Sequence, residues 1–467
     1  MLFNSIPFII LFLVLYFLYW KWPRIGVEGR KNLLFITSLI FYGWWSIPFL
    51  IHFFCFVALN YVIYFFIEKP NRITIIVLVT LNLLHLAFFK YFYFLLDTAS
   101  LLLPTGATEI LQPAGGLIPQ IILPLGISFY TFQIMAFHID KYRSTIDYPV
   151  SMKDFMLFIM FFPQLVAGPI MRHDELLPYL KQPVVLRRNW LDKGIFLFLI
   201  GVIKKVLIAD NISPAIDPVF TDPSAYTSAA LTTAVYGFAI QIYMDFSGYS
   251  DMARGLAYAV GYRIPHNFRS PYFALSFQEF WRRWHITLSQ WLRDYLYITL
   301  GGNKVSKARN YFNLFMTMLL GGLWHGANYT FIIWGGLHGA YLIIERYFKL
   351  LPKPAERWPF KVIRALIVFH LVLLAWVFFR ADSVHKAIDI LSGIFAGTTG
   401  SGKVKFPMKA EYLVLVTILL HVYEYHAKPF LRIWKWREWV LPVAVVVIGF
   451  LVMAYTGNSA PFIYFQF

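Results

Sequence analysis

The chain has 467 residues, of which 59% are hydrophobic and 19% aromatic, while only 14% are charged. Soluble globular proteins carry roughly 25% charged residues, and no soluble core of this size hides so much apolar surface, so the bilayer must take the rest. The net charge of +17 comes from 41 Lys and Arg against 24 Asp and Glu, but the cations sit in short links between apolar runs, as a positive-inside bias requires, and no nucleic-acid module accompanies them.

The single cysteine, Cys55, lies inside an apolar run. It excludes an internal disulfide and a Cys-based metal site, and reads as a small hydrophobe in a helix.

A helix needs ~20 mostly apolar residues to cross the hydrocarbon core. The first run, 3–20, has neither a basic leader nor a small-residue cleavage site and reads as a retained span. Further spans are expected at 33–46, 48–67, 73–97, 121–138, 194–209, 229–249, 310–324, 330–347, 362–379, 412–426 and 438–455. Lys21, Arg24, Arg30 and Lys31 place the first link in the cytoplasm and the N-terminus outside. The links 98–120 and 210–228 contain no Lys or Arg and suit the outer face. The link 380–411 runs against the alternation, with Arg380, Lys386, Lys403, Lys405 and Lys409 on the expected outer side.

The apolar segment 154–171 has basic residues at both ends, and its centre, Pro163-Gln164-Leu165-Val166-Ala167-Gly168-Pro169, cannot form a clean helix. Irregular backbone at membrane depth survives only inside protein or beside a wet cavity. A re-entrant segment meets both facts and leaves about twelve crossings, with both termini extracytoplasmic. With no internal repeat or soluble module, residues 1–467 read as a single membrane-embedded, all-α domain.

Over 277–300 the pattern changes. Trp281, Trp284, His285, Leu288, Trp291, Leu292 and Tyr295 share one helical face, and Arg282, Arg283, Gln290, Arg293 and Asp294 the other. This predicts an amphipathic helix at the cytoplasmic interface, whose arginines either anchor it to anionic lipid or dock the phosphates of a donor. Upstream, Asp245 and Asp251 flank Phe246-Ser247-Gly248-Tyr249-Ser250, either as a polar helix end or as part of a donor entrance.

Two later runs carry histidine at membrane depth: Gly321-Gly322-Leu323-Trp324-His325-Gly326-Ala327-Asn328 and Trp334-Gly335-Gly336-Leu337-His338-Gly339. Glycines allow close helix approach, and an intramembrane ionisable residue marks a functional site. A neutral imidazole can take the proton of a hydroxyl acceptor, typically worth 10²–10⁴-fold. Other chemistries lack their motifs: there is no Gly-x-Ser-x-Gly elbow, His-Glu-x-x-His zinc pair or phosphate-cradling Gly-Lys-Ser/Thr loop. His421, Glu424 and His426 do not share a helical face, which argues against a metal site.

Several long runs together resemble the membrane-bound O-acyltransferase (MBOAT) family, in particular its bacterial alginate O-acetylation branch. They are Phe161–Ile170, Gln241–Asp251, Glu279-Phe280-Trp281-Arg282-Arg283-Trp284-His285, Trp291-Leu292-Arg293-Asp294-Tyr295 and Leu323–Asn328, in order from about residue 30 onward. The resemblance implies a helical ring with a thinned centre and a tunnel. It implies His325 as the catalytic histidine and His285 as the second motif histidine; His338, which matches no essential position of the family, is expected with Trp324 and Asn328 behind them or along the tunnel. It also implies a cytoplasmic thioester donor, acetyl-CoA or an acyl carrier, with no bound cofactor. Arg282, Arg283 and Asp245 are then candidates for the donor entrance. The acceptor would be a cell-envelope polysaccharide, reached through a periplasmic, SGNH-type partner acyltransferase. The last residues, Phe462-Ile463-Tyr464-Phe465-Gln466-Phe467, resemble the tail of the small peptide that partners the D-alanylating members, which makes Tyr464 a candidate acyl acceptor.

Overall fold

The computed structural model describes residues 1–22, 25–66, 71–100, 120–352, 357–406, 410–425 and 437–455. Among these, helices are the regular elements, and an isolated bridge pairs Tyr226 with Gly402. Contacts divide the chain into two compact units: residues 1–187 with 257–264, and residues 188–256 with 265–467. Among the described residues, three helices are long and apolar enough to cross a membrane on their own, Ile47–Phe66, Arg72–Ser100 and Trp358–Arg380. With the solvent-facing apolar side chains these helices carry, such as Phe65, Ile73 and Ile367, the chain is built for lipid.

In the first unit, α1 (Ile6–Lys21), α2 (Val27–Gly43), α3 (Ile47–Phe66), α4 (Arg72–Ser100) and α5 (Ile127–Tyr142) follow the apolar runs. The sequence expectation of a span from 121 is corrected here: residues 121–126 are irregular, and α5 begins only after Gly126, whose φ of 72° a glycine tolerates without strain.

The segment expected to be irregular is so. Helix α6 (Met152–Met160) stops at Phe161, and residues 161–171 turn without helix before α7 (His173–Leu180). Protein encloses this turn: all of 161–171 is buried, Ser38 Oγ accepts from Phe162 N at 3.1 Å, and Gln133 and Gln164 both donate to Phe158 O at 2.8 and 2.9 Å. These bonds satisfy backbone groups that a lipid environment would leave unpaired. Lys31 pins the start of the segment to α2 through Asp154 at 2.7 Å.

The second unit begins with α8 (Arg188–Val202), which widens into a π-helical stretch, Ile203–Ala209, and continues as α9 (Asp210–Thr221). Helix α10 (Ser228–Ala259) runs ten residues past the expected span end at 249. α8 and α10 touch backbone to backbone: a β-carbon on Gly201 would lie 2.5 Å from Gly248 O, and one on Gly255 2.5 Å from Gly194 O. After α11 (Phe277–Arg283) and α12 (Ile286–Trp291) come a second π-helical stretch, Leu292–Tyr297, and the pair α13 (Lys307–His325) and α14 (Tyr329–Tyr347). Helices α15 (Trp358–Arg380), α16 (Val384–Phe395), α17 (Ala410–Tyr425) and α18 (Arg437–Tyr455) complete the unit. Helix α16 falls within the 380–411 link, where no helix was expected.

Candidate active site

His325 owes its place to how two helices meet. Gly326 is fully extended and ends α13 immediately after His325. Two residues on, Asn328 opens α14: its Oδ1 accepts from Thr330 N at 3.0 Å and its Nδ2 donates to Asp382 O at 2.7 Å. Asn328 is therefore a helix cap that fixes the α13–α14 corner. The two helices then pack without intervening side chains. A β-carbon on Gly322 would lie 2.3 Å from Phe331 O, and one on Gly335 2.5 Å from Met318 O. Only glycine permits this approach.

The corner sets rings in series. His285 lies 6.0 Å from Trp324, Trp324 4.9 Å from His325, His325 5.0 Å from Trp334, and Trp334 4.8 Å from His338, centroid to centroid. Each of these contacts is steep, at 64–85° between ring planes. All five residues are buried. Phe379 of α15 closes another side of His325 at 5.1 Å, and Phe246 of α10 meets His285 edge-on at 4.7 Å. The three histidines, distant in sequence, thus share one aromatic slab. Neither ring nitrogen of His338 has a hydrogen-bond partner among the described residues, and the indole N–H groups of Trp281 and Trp334 beside it are likewise unpaired. Such a group of buried polar atoms is suited to a polar ligand or water.

The predicted continuous helix over 277–300 is corrected. It breaks at His285, whose backbone is left-handed (φ 41°, ψ 56°), and widens to a π-helix from Leu292. The apolar stripe is real, but it is buried in protein: Trp281, Trp284, His285, Leu288, Trp291, Leu292 and Tyr295 are all inside. Burial pushes the His285 imidazole down to about 3, so it is neutral at physiological pH and able both to accept and to donate one hydrogen bond.

The polar side of α11 faces elsewhere. Arg282 and Arg283 line an open cavity of about 840 Å³ with Arg269, Gln278 and Lys361. Arg283 is held by Glu279 at 2.7 Å, while Arg293 forks onto its neighbour Asp294 at 2.6 and 2.9 Å. Asp245 departs from one of its two expected placements. It is not at a helix end, because α10 continues to Ala259, and it is buried 2.6 Å from Lys205, which also reaches Asp210 at 2.7 Å. Glu424 is bonded to Lys204 at 2.5 Å and to Ser270 N at 3.0 Å. His426 and Tyr464 lie outside the described residues.

Sequence reasoning missed Phe246 and Phe379 as neighbours of the histidines, and Lys204 as a buried cation. Aromatic residues in apolar spans carry no local signal of what they face. Two adjacent lysines in an apolar run, Lys204-Lys205, were such a signal.

A family model for MBOAT, the membrane-bound O-acyltransferase family, matches residues 78–385, which takes in both motif histidines and the whole α13–α14 corner. The chain belongs to this family. Among curated members of the MBOAT relatives, the probable alginate O-acetylase AlgI of Pseudomonas syringae pv. tomato is 40% identical over 406 residues, covering 85% of this chain and 75% of that protein. The peptidoglycan O-acetyltransferase of Helicobacter pylori is 37% identical over 433 residues, covering 84% and 80%. The teichoic acid D-alanyltransferase of Bacillus subtilis is 29% identical over 283 residues, covering 56% and 69%. As an MBOAT protein, the chain is a membrane-embedded O-acyltransferase.

Proposed function

We propose that the chain passes an acetyl group from a cytoplasmic thioester to an acceptor on the far side of the bacterial inner membrane, for O-acetylation of an exopolysaccharide such as alginate. The observation that carries this reading is the burial of His325 at the α13–α14 corner, one indole away from His285. A neutral His325 takes the proton of an acceptor hydroxyl as its oxygen attacks the thioester carbonyl. The C–S bond breaks, and the departing thiolate takes the proton back from the imidazolium, so that ester, free thiol and neutral histidine remain. The aromatic walls keep water from competing for the acyl group. His285, also neutral, orients the donor by a hydrogen bond.

The donor is acetyl-CoA or an acyl carrier thioester, and no bound cofactor takes part. The donor enters on the cytoplasmic side, where Arg282 and Arg283 meet its phosphates; Asp245 contributes by holding Lys205. A periplasmic SGNH-type acyltransferase receives the group and completes delivery, and both termini of the chain lie outside the cytoplasm. The 40% identity to alginate O-acetylases favours a polysaccharide acceptor. Peptidoglycan O-acetylation is the second reading, supported by the 37% identity to the Helicobacter protein, and D-alanylation is a more distant third.

His325→Ala tests the proposal. Polymer-bound acetyl in cells, released by mild alkali, should fall at least about 10²-fold while the protein still reaches the membrane in normal amount. Near-normal acetylation from a well-expressed variant would overturn the assignment.

A further inference from the structure

His285 occupies a backbone conformation that residues with a β-carbon disfavour, at a point where its sequence would run on as helix. Something must hold it there. The segment 267–270 does so on both sides of the break. Before it, Arg269 N donates to Arg283 O at 2.9 Å, and Arg283 Nη1 returns to Arg269 O at 3.2 Å. After it, Ile286 N donates to Asn267 O at 2.9 Å, and Asn267 Oδ1 accepts from both Thr287 Oγ1 at 2.8 Å and Thr287 N at 3.3 Å. Those last bonds give the first amides of α12 a partner only when α12 starts afresh after His285. In an uninterrupted helix, Ile286 N and Thr287 N would bond to carbonyls within the helix instead.

The clasp is itself anchored. Ser270, also left-handed at φ 47°, donates its N–H to Glu424 Oε2 at 3.0 Å and its hydroxyl to His421 O at 2.8 Å, both on α17. Glu424 is fixed by Lys204 at 2.5 Å and by the Tyr243 hydroxyl, and Lys204 holds Asp251 at 2.7 Å. Lys204 sits in the π-helical stretch after α8, so a line of polar contacts runs from that irregular turn through α17 to the break at His285. Lys204, Tyr243, Ser270 and Asn267 are buried and Glu424 nearly so, where an unpaired group is costly and a paired acceptor favours one geometry.

We propose that Asn267 is a positioning residue for His285: its carbonyl and side-chain oxygens keep α11 and α12 apart, with Glu424 anchoring the segment, so that the His285 ring faces Trp324 instead of rotating with a continuous helix. This rests on the reading of His285 as part of the acyl-transfer site.

The test compares Asn267→Leu, Asn267→Asp and Thr287→Val with His285→Ala in cells that make the native polymer. Polymer-bound acyl ester is measured per amount of protein in the membrane. Hydrogen exchange of the 283–289 peptide is measured on the purified proteins. Asn267→Asp keeps both acceptor oxygens and should stay within about threefold of the parent in acyl transfer. Asn267→Leu should lose tenfold or more, Thr287→Val, with its shape kept and one donor removed, should lose several-fold, and both should alter exchange at 283–289. Should Asn267→Leu fail to accumulate, Thr287→Val alone decides. Normal transfer in Asn267→Leu and Thr287→Val, or equal loss in Asn267→Asp and Asn267→Leu, overturns the proposal. Normal transfer in His285→Ala overturns the reading of His285 instead, and the exchange measurement then still reports whether Asn267 holds the break.

Discussion

Gly335 and Gly336 are neighbours on α14, and the structure assigns them opposite tolerances. A β-carbon on Gly335 would lie 2.5 Å from Met318 O and 3.1 Å from the α-carbons of Gly322 and Leu319. One on Gly336 would find nothing nearer than Phe315 Cζ at 3.8 Å, an ordinary contact. Heavy atoms settle at about 3.5–4.0 Å, so Gly335→Ala asks α13 and α14 to separate by about 1 Å. The obstructing atoms are backbone and cannot swing aside. Overpacking of this kind costs about 1–3 kcal/mol, offset in part by the ~1 kcal/mol by which alanine outperforms glycine in a helix. The larger consequence is for chemistry. His325 ends α13 and Trp334 sits on α14 next to the substitution, and a misplacement of about 1 Å at a reacting group can cost about 10²-fold in rate. Gly335→Ala should therefore lose acyl transfer steeply while losing little thermal stability in detergent, and Gly336→Ala should keep both. The assay is polymer-bound acetyl per membrane-inserted protein, with thermal unfolding of the purified variants. If Gly335→Ala transfers acyl groups as well as Gly336→Ala, the close α13–α14 approach does not set the His325 geometry.

Charge reversal of Arg282 and Arg283 together should raise the Michaelis constant for the thioester donor with insertion intact, because both line the same cavity; unchanged kinetics would leave these arginines a purely lipid-anchoring role. Tyr464→Phe removes one oxygen and should abolish polymer acetylation if the phenol carries the acyl group across, whereas full activity means direct transfer to the partner. Reporter tags in the 139–153 and 172–193 links should both read cytoplasmic, since the turn between them is enclosed by protein; a periplasmic reading from 172–193 would make 154–171 a true span.

Composition by itself placed this protein in the membrane, because no soluble core hides 59% hydrophobic residues. Helix positions followed from run length, since in lipid each backbone polar group must be satisfied within its own segment. The end of helix at Phe161 was legible for the same local reason: Pro163 and Gly168 cannot continue it. The motif histidines were legible as well, because an ionisable group in an apolar run needs a reason to be there. What the pattern misjudged was the stretch 277–300. A period of 3.6 records which side chains are buried, and all seven of them are, but it does not register a backbone partner from another part of the chain. Asn267 supplies that partner and breaks the helix at His285. The same limit explains Asp245, Glu424 and Lys204: each is a charge whose meaning depends on an opposite charge 40 to 220 residues away, which local spacing does not reveal. Local propensity and burial are written along the chain, whereas pairing of buried polar groups is decided only when the helices pack, because the cost of leaving any one unpaired falls on the tertiary arrangement as a whole.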